Sequence, residues 1–598
     1  MQQKAIMHES GPVMCLAGPG SGKTFVLTYH IKYLIEELNV EPSKILVITF
    51  SKAAAKEMQQ RFVSIMGNQI LPVKFGTFHA IFFHMLCQHQ GYSANSIISL
   101  QEKKKYLKII IQEIHSDLIC DQEILEEILQ KISFVKNRGI ELGFKDLQMN
   151  EYDFEKIFYR YQKMLFEHRK LDFEDMMLLC QKMLNDHSQI LSFYQEQFQY
   201  ILIDEYQDIN SVQYDIIKKL IIPKRNLFVV GDDDQAIYSF RGSDPSIMLQ
   251  FKTDFPDGEI ITFPINYRSV ESVVNCANKL IKENKARYKK EIKAKQCHQQ
   301  GIHFYEYETM EQQQADIISL IKRQKNAGIY DSCAILLRTN VEASFWAELL
   351  LKEKLSYRMK EKINNIYDSF ICRDLLCYLR LARGSCSTED LVTIMNRPLR
   401  YLSRGCVNGK TFRFDDLKNF YFEKTYMLEK INQLEYELKW LSKMDIFSSI
   451  NYIRKGIGYE DYLKTLSMEH NMSYEKWFDI LNELHRRMGM FHTVSQLERH
   501  IEEYSLLLSK QHLDKTNEGI TIMTYHASKG LEFEEVILPN CNEGYTPHRK
   551  CEGEKGMEEE RRLFYVAMTR AKKQLHICYV KGNKDNKHLV SRFVRELK

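Results

Sequence analysis

Short runs of apolar residues recur along the chain and are its most regular pattern. Each run is four to six residues long, most contain β-branched residues, and helical patterns separate many of them. Such runs are typical of strands that are buried on both faces of a parallel sheet. The pattern predicts strands at Val13–Leu16, Ile45–Phe50, Tyr200–Ile203, Leu227–Val230, Cys333–Leu337, Val536–Pro539 and Leu575–Val580.

Two longer stretches, residues 84–172 and 371–511, follow a helical period instead. The helical spacing is carried by Tyr106, Leu107, Ile110, Ile111 and Ile114 in the first stretch and by Leu434, Leu438 and Leu441 in the second. Each stretch separates segments that contain predicted strands. The simplest architecture is therefore α/β, with two parallel-sheet domains that are each interrupted by a helical insertion.

Composition sets the size and class of the protein. The 598 residues are too many for one hydrophobic core, so several domains are expected. The net charge of +4 permits a nucleic-acid partner without requiring one. The 14 cysteines form no C-x-x-C pair, which favours reduced thiols over a zinc or iron–sulfur site. Neither a signal peptide nor an apolar run of membrane-spanning length is present, so we expect a cytoplasmic protein.

A glycine-rich loop lies between the first predicted strand and a helical pattern. Its residues are Ala17, Gly18, Pro19, Gly20, Ser21, Gly22, Lys23 and Thr24. Such a loop wraps backbone amides around phosphate oxygens, and the N-terminus of the following helix favours an anion. Lys23 would reach the β- and γ-phosphates, and the Thr24 hydroxyl would bind Mg²⁺.

Two carboxylates follow the predicted strand Tyr200–Ile203, at the edge where open α/β sheets bind ligands. Asp204 would hold Mg²⁺ through water, and Glu205 would orient and deprotonate the attacking water. With the phosphate loop, these residues predict a nucleoside triphosphatase.

Further motifs indicate what the hydrolysis drives. They run in the order QQKAI at 2–6, AGPGSGKT at 17–24, ITFSKAAAKEM at 48–58, GTFHA at 76–80, LDFED at 171–175, DEYQD at 204–208, GDDDQAIYSFRGSD at 231–244, NYRS at 266–269, LLRTN at 336–340, TYHASKGLEF at 524–533, EGYTPH at 543–548 and EEERRLFYVAMTRAK at 558–572. In this order they resemble the UvrD/Rep/PcrA helicases of superfamily 1A, over nearly the whole chain.

The resemblance implies two RecA-like motor domains with helical insertions. Motor domain 1A would comprise residues 1–83 and 173–265, with insertion 1B at 84–172. Motor domain 2A would comprise residues 266–370 and 512–598, with a short and divergent insertion 2B at 371–511. We also expect a core motor with neither a nuclease domain nor a long C-terminal tail.

The resemblance also implies how the nucleotide is recognised. Gln2 would read the adenine edge, because an amide offers both a donor and an acceptor. Tyr267 would stack on the adenine, and Glu532 would hydrogen-bond the ribose. The implied cofactors are ATP and Mg²⁺.

Three further residues would act on the γ-phosphate. Gln235 would sense the phosphate and the attacking water, and Arg268 and Arg570 would be arginine fingers. A guanidinium suits bidentate contact with phosphate oxygens. If the fingers lie opposite the phosphate loop, hydrolysis requires the domains to close.

A track for single-stranded DNA is implied as well, built from aromatic stacking and phosphate contacts. Its residues would be Thr49, Phe50, Thr77, Phe78, His79, Tyr238, Phe240, Arg241, Thr524 and His526. Plain core packing is the alternative interpretation for Phe50 and Phe78, and also for Tyr238 and Phe240.

Departures from the family pattern leave the output of the motor open. Phe240 stands where tryptophan is frequent, and the segment 404–407 replaces a Gly-Ile-Gly turn that touches duplex DNA. We expect an ATP-dependent 3′–5′ translocase and DNA helicase that binds single strands and duplex junctions in repair, replication or genome defence. The alternatives are a motor subunit that displaces proteins from DNA or controls a separately encoded nuclease, and a nucleotide switch with little turnover.

Overall fold

The computed structural model describes residues 1–114, 122–141, 152–296, 301–359, 365–407, 409–469, 474–511, 518–549, 551, 553–582 and 589–598. Contacts divide the chain into two units. The first comprises Met1–Cys120, Leu125–Arg338 and Met523–Lys598, and the second comprises Asp121–Ile124 and Thr339–Ile522. Among the described residues, no helix has both the length and the apolar character needed to cross a bilayer.

The first sheet of the first unit consists of six parallel strands. They are β1 Val13–Ala17, β2 Ile45–Thr49, β3 Lys74–Thr77, β4 Tyr200–Ile203, β5 Asn226–Gly231 and β6 Glu259–Phe263. Their spatial order is β3-β2-β4-β5-β1-β6. Every residue of β1 and β2 is buried, because helices cover both faces of the sheet, and this is why both strands are continuous apolar runs.

Eight further strands follow in the chain. They are β7 Ile265–Val270, β8 Lys293–Gln296, β9 Ile302–Tyr307, β10 Cys333–Leu337, β11 Tyr357–Met359, β12 Ile520–Thr524, β13 Phe533–Leu538 and β14 Ala571–Val580. In the first unit, four of them form a second parallel sheet in the order β10-β13-β14-β9. Strands β7 and β8 pair separately. In the second unit, β11 runs parallel to β12, with Tyr357 opposite Ile520.

Helices connect these strands and pack against the sheets. The helices of the first unit are Gln2–Ile6, Lys23–Glu36, Lys52–Ile65, Phe78–Gln90, Leu100–Ile114, Gln122–Arg138 (in this unit from Leu125 on), Tyr152–Glu167, Phe173–Asp186, Ser188–Gln197, Ser211–Leu220, Pro245–Leu249, Phe251–Asp254, Glu271–Ile281, Met310–Asn326, Gly553–Met568 and Arg592–Leu597. Short 3₁₀ turns at Tyr206–Asp208, Asp233–Gln235 and Ser239–Arg241 follow β4 and β5.

The second unit is mainly helical. Its helices are Asn340–Lys352, Phe370–Ala382, Thr388–Ile394, Phe414–Phe420, Thr425–Leu441, Ile446–Asn451, Tyr459–Glu469, Tyr474–Met488 and Val494–Gln511. Leu434, Leu438 and Leu441 are buried on one face of their helix, as their spacing predicts.

The seven predicted strands are all present, two with the predicted ends and five with ends that shift by up to four residues. The largest shift is in β14, which begins at Ala571 rather than at Leu575. The predictions missed β7, β8, β11 and β12, of which β12 is buried throughout. They also missed β3, β6 and β9, which lie at the edges of the two sheets. Edge strands are only partly buried, so they keep polar residues and lack a continuous apolar run.

Candidate nucleotide site and nucleic-acid track

The phosphate loop begins where β1 ends at Ala17 and leads into the helix Lys23–Glu36. The Ser21 hydroxyl donates to the Gly18 carbonyl over 2.8 Å and closes the turn. Gly20 has a φ of 65°, and a Cβ there would lie 2.6 Å from the Cβ of Arg268. This conformation and this close approach both require glycine.

Lys23 lies at the first position of the helix, beside Glu205. Its Nζ is 3.7 Å from Glu205 Oε1. The same Nζ is buried and has no hydrogen-bond acceptor among the residues that the structure describes. A buried ammonium without acceptors is costly, and phosphate oxygens would satisfy it.

Glu205 directly follows β4 in a left-handed backbone conformation, with φ 52° and ψ 46°. Such a conformation is strained for a non-glycine residue and is frequent at functional sites. Burial raises the pKa of Glu205, but Lys23 and Lys529 outweigh it and hold the pKa below its ordinary value. The carboxylate is therefore ionised at neutral pH and able to accept a proton from water.

Of the predicted Mg²⁺ ligands, Thr24 lies in the first turn of the helix Lys23–Glu36, and Asp204 lies directly after β4. A hydroxyl and a carboxylate are hard oxygen donors of the kind that Mg²⁺ prefers. Burial raises the pKa of Asp204, and the charge of Glu205 raises it further. A cation at this position would offset that crowding of negative charge, so the residues fit the ion.

A chain of hydrogen bonds runs from Glu205 across to Arg570. The Gln207 amide donates to Glu205 and accepts from the backbone N–H of Asp232 over 2.9 Å. The Gln235 amide donates to Asp232 Oδ2 over 2.6 Å and accepts from Arg570 Nη2 over 3.3 Å. Groups from both sheets therefore contact each other through Gln235.

Arg570 is 1% exposed and directly precedes β14. Its Nε donates to the Val566 carbonyl over 2.9 Å, and its Nη1 donates to the Leu531 carbonyl over 3.2 Å. Burial lowers its pKa to about 9, with a further contribution from Arg268, so the guanidinium stays charged at neutral pH. No carboxylate of the described residues lies within 4.0 Å of it, which leaves a buried cation without a counter-ion.

Arg268 lies on β7 next to the phosphate loop, where its pairing differs from that of Arg570. Its Nε donates to Glu532 Oε2 over 2.8 Å. Lys572 contacts the other oxygen of Glu532 at 2.7 Å. The predicted phosphate ligand and the predicted ribose ligand are thus paired with each other in this structure.

Gln2 and Tyr267 contact the phosphate loop from two sides. The Gln2 amide donates to the Ser21 carbonyl over 2.7 Å, and the backbone N–H of Tyr267 donates to the Gly20 carbonyl over 2.9 Å. The Tyr267 ring is 40% exposed, so it is accessible for stacking.

The sequence-based prediction missed Lys529. Its ammonium contacts Asp208 Oδ2 at 2.5 Å, the Gln235 carbonyl at 2.7 Å and Glu205 Oε2 at 3.9 Å. It also lies 5.2 Å from the centre of the Tyr238 ring. The only sequence signal was its place within TYHASKGLEF, which does not say which acid it pairs with.

The sequence-based prediction also missed Lys290, whose ammonium lies among the carboxylates of Asp232, Asp233 and Asp234. It contacts Asp232 Oδ1 at 2.8 Å and Asp234 Oδ2 at 2.9 Å, and it also bonds to Asp233. Arg287 binds Asp234 through two hydrogen bonds of 2.7 and 2.6 Å. Two of the protein's own cations therefore pair with these three carboxylates.

Aromatic rings cluster at the stacking loop, which we define as residues 238–244. Phe50 stacks on Tyr238, with ring centres 5.1 Å apart and planes 8° apart. His526 meets Phe240 edge-on at 5.2 Å. The Arg241 guanidinium lies 5.3 Å from the Tyr238 ring and 5.4 Å from the Phe240 ring. Rings beside a cation form the kind of surface on which unpaired bases stack.

These rings border a groove of about 640 Å³. Six of the ten predicted track residues line it, namely Phe50, Thr77, His79, Tyr238, Phe240 and Arg241. Lys52 and Lys103 lie in the same lining and add positive charge. The structure thus brings stacking and phosphate-binding groups together in one groove.

The other predicted track residues lie elsewhere or deeper. Thr49, Phe78 and Thr524 are at most 5% exposed, and Phe78 packs in the core of the first sheet. His526 contacts the rings from the side of the second sheet, and burial, aided by Arg338, lowers its pKa to about 3. Its imidazole is therefore neutral, and its contribution is apolar contact rather than charge.

Comparisons with known proteins agree with this geometry. Residues 1–256 match the model of the UvrD/REP helicase N-terminal domain, and residues 261–582 match that of the UvrD-like helicase C-terminal domain. The chain is 32% identical to a putative ATP-dependent DNA helicase, YjcD, of Bacillus subtilis, over 100% of this chain and 80% of the relative. It is 30% identical to the ATP-dependent DNA helicase PcrA of Staphylococcus aureus, over 100% of this chain and 85% of the relative. A probable DNA helicase II homologue of Rickettsia conorii is 33% identical over 100% of this chain and 95% of the relative. The chain belongs to the UvrD/REP helicase family.

Proposed function

We propose that the chain is an ATP-dependent DNA helicase that moves 3′→5′ along single-stranded DNA and opens duplexes. ATP with Mg²⁺ is the proposed fuel, and single strands and duplex junctions are the proposed substrates. The proposed settings are DNA repair, replication or genome defence. Family membership supports the class of activity, and the polarity follows from the resemblance of the motifs.

The observation that carries this proposal is a pair of buried cations at the two ends of the site, each lacking a different kind of partner. Lys23 Nζ lies 3.7 Å from Glu205 but has no hydrogen-bond acceptor among the described residues. Arg570, linked to the same carboxylate through Gln235, has no carboxylate within 4.0 Å among those residues. A polyphosphate would supply acceptors to Lys23 and a counter-charge to Arg570.

Each residue then has a defined part in hydrolysis. Glu205 accepts the proton of the attacking water, and Gln235 orients that water. Arg570 stabilises the charge that develops on the transferred phosphate, and Arg268 joins it once Glu532 turns to the ribose. Mg²⁺ held by Thr24 and Asp204 would neutralise phosphate charge.

Hydrolysis is coupled to DNA through the contacts of Lys529, which reach both Glu205 and the Tyr238 ring. Stacking on a protein ring is worth about 1–3 kcal/mol per base. A base-pair step in duplex DNA holds about 1.4 kcal/mol, so stacking can trap an opened base but cannot impose a direction. Direction must therefore come from an ATP cycle in which the two motor domains alternate their grip.

Each proposed motor domain is built around one of the two sheets. We assign residues 1–83 and 173–265 to motor domain 1A, and residues 266–370 and 512–598 to motor domain 2A. Residues 84–172 and 371–511 are the proposed insertions 1B and 2B. This assignment is supported by the position of the helical segments between strands of the same sheet in the chain order.

Strand displacement by the purified chain tests the proposal. Duplexes with a 3′ tail, a 5′ tail or blunt ends are compared with and without ATP, and Lys23→Ala controls for contaminating activity. We expect ATP-dependent displacement on 3′ tails only. Displacement on 5′ tails alone would contradict the polarity. Translocation without displacement would favour a motor that clears proteins from DNA or serves a separate nuclease.

A further inference from the structure

The last turn of the helix Gln122–Arg138 contacts two segments of the motor at once. One is the stacking loop, residues 238–244. The other is the acidic segment, which we define as residues 204–210, from Asp204 to Asn210. Neither the mechanism above nor the family motifs assign a role to this turn.

One side chain bonds to both segments, which also meet directly where the Asp244 N–H donates to the Ile209 carbonyl over 3.0 Å. The Asn137 Nδ2 donates to the Arg241 carbonyl in the stacking loop over 2.8 Å. Its Oδ1 accepts from Asn210 Nδ2, at the end of the acidic segment, over 3.0 Å. Asn137 is 8% exposed, so these bonds are shielded from water. Both ends of a buried amide are therefore used, and each holds a different functional segment.

The stacking loop is shaped to receive this side chain. Gly242 has a φ of 87°, and a Cβ at this residue would lie 2.6 Å from the Cβ of Asn137. Only glycine allows both the backbone conformation and the approach. The loop and the helix therefore fit each other through a backbone contact, with no room for an intervening side chain.

Ion pairs on either side of Asn137 fix the turn in place. Arg138 Nη1 contacts Asp244 Oδ2, at the end of the stacking loop, at 2.6 Å. Lys136, whose side chain is 0% exposed, contacts Asp172 and Asp175 at 2.6 Å each. A rigid turn of this kind holds its neighbours in one arrangement rather than following their motion.

We propose that Asn137 is a positioning residue that keeps the stacking loop in register with the acidic segment, so that stacking of a base and hydrolysis of ATP are coupled. The first helical insertion thereby takes part in communication between the DNA track and the nucleotide site. Asn137 lies in the lining of the groove but is only 8% exposed, and it acts through Arg241 and Asn210. This inference rests on the proposed function.

The variant Asn137→Asp tests the inference. It keeps the size of the side chain and the acceptor for Asn210, but it replaces the donor to Arg241 by an oxygen that repels the carbonyl. We expect the ATPase rate without DNA and the KM for ATP to stay at their wild-type values. Because loss of a buried hydrogen bond typically changes an equilibrium about tenfold, we expect the DNA-stimulated rate to fall by about that factor.

Fluorescence of a base analogue distinguishes a positioning role of Asn137 from general destabilisation of the protein. An oligothymidylate that carries one 2-aminopurine loses fluorescence when the base stacks on aromatic rings. We expect weaker quenching at saturating Asn137→Asp than at saturating wild type. The control is Asn326→Asp, which makes the same change at an exposed residue at the end of the helix Met310–Asn326 and should match wild type in every measurement.

If Asn137→Asp fails to fold, the variant Arg138→Gln tests the same coupling. Arg138 is 23% exposed in its side chain, so its substitution is tolerated, and it removes the pair with Asp244. We expect a smaller loss of DNA stimulation, about threefold, because the pair is partly exposed. Full DNA stimulation and quenching in both variants would overturn the inference. A wild-type chain without any DNA-stimulated hydrolysis would instead overturn the proposed function.

Discussion

The two sides of the proposed nucleotide site hold their reactive groups by different means. On the first side, at the carboxyl ends of β1 and β4, backbone conformation places Lys23 and Glu205, through Gly20 at φ 65° and Glu205 itself at φ 52°. On the second side, beside β13 and β14, two main-chain carbonyls hold the Arg570 guanidinium. Among the described residues, Lys23 on the first side lacks a hydrogen-bond acceptor and Arg570 on the second side lacks a paired carboxylate, and a polyphosphate would supply both.

The way Arg570 is held determines how hydrolysis responds when the two sides of the site move apart. Arg570 is fixed to Val566 and Leu531 of its own sheet, whereas its bond to Gln235 of the other sheet is longer, at 3.3 Å. A small separation of the two sides would break the longer bond first. Hydrolysis would then stop without any change within either side, as a motor with a cyclic grip requires.

The largest effect is expected on the second side. Because Arg570 has no substitute cation at the same position, Arg570→Ala should lower the DNA-stimulated kcat by about 10³-fold or more, while ATP binding persists. Steady-state hydrolysis and binding of a fluorescent ATP analogue measure the two quantities. Arg323→Ala, at an exposed helix residue, is the control. A kcat near the wild-type value would show that Arg570 is a structural cation only.

On the first side, Glu205→Gln keeps the shape of the side chain but removes the base. We expect kcat to fall by about 10²–10⁴-fold, with the KM for ATP little changed. The measurement is DNA-stimulated hydrolysis, with Glu37→Gln on the exposed end of a helix as the control. Normal turnover in Glu205→Gln would assign the proton acceptor to another group.

Most of the central strands and the loops that follow them could be predicted from the sequence, because tertiary burial and local sequence agree there. The exception is β12, which was missed although all of its residues are buried. The phosphate loop was predictable because its residues are adjacent in the chain and two of its glycines, Gly20 and Gly22, have positive φ. The edge strands were not, since they are half exposed and lack a continuous apolar run.

Contacts between residues that are far apart in the chain could not be predicted from the sequence either. Lys290 neutralises Asp233 from 57 positions away, and Asn137 bonds to Arg241 from 104 positions away. Nothing in a local pattern records which side chains meet across the fold. Burial likewise separated residues that the motifs treat alike, because Phe78 is in the core and Phe50 is on the groove.

Lys529 of the second side provides a test at the level of stability. It pairs with Asp208, whose side chain is 0% exposed, and burial raises the pKa of Asp208 to about 6 even beside this lysine. Lys529→Met should lower the free energy of unfolding at pH 7 by about 3 kcal/mol, because the buried Asp208 carboxyl loses its cation and must take up a proton to stay buried. Urea unfolding measures the loss. Adding Asp208→Asn should restore most of it, and an unrestored double variant would mean that the pair is not the cause.

The DNA track allows a similar contrast between an exposed and a buried ring. Tyr238→Leu should weaken binding of oligothymidylate by about 1–3 kcal/mol, since one stacking surface is lost. Phe78→Leu should leave this affinity unchanged and instead lower stability by about 1 kcal/mol, as a shape change in a packed core does. Fluorescence anisotropy and urea unfolding give the two values for each variant. If Phe78→Leu bound DNA more weakly while keeping wild-type stability, Phe78 would be a DNA-contacting residue of the track after all.

The smallest effect concerns His526, the ring that the second side contributes to the track. Its folded pKa of about 3 lies below the ordinary value, so the unfolded chain binds more protons between these two pH values. Stability should therefore fall as the pH drops below about 6.5, by at most about 1.4 kcal/mol per pH unit from this residue. His526→Phe should show a shallower loss between pH 7 and pH 5 in urea unfolding without DNA. His30, whose pKa burial also lowers, is unchanged in both proteins, so the difference reports on His526 alone. Parallel curves for the two proteins would mean that the imidazole of His526 is solvated and free to take up a proton, and that the second side of the track can carry charge.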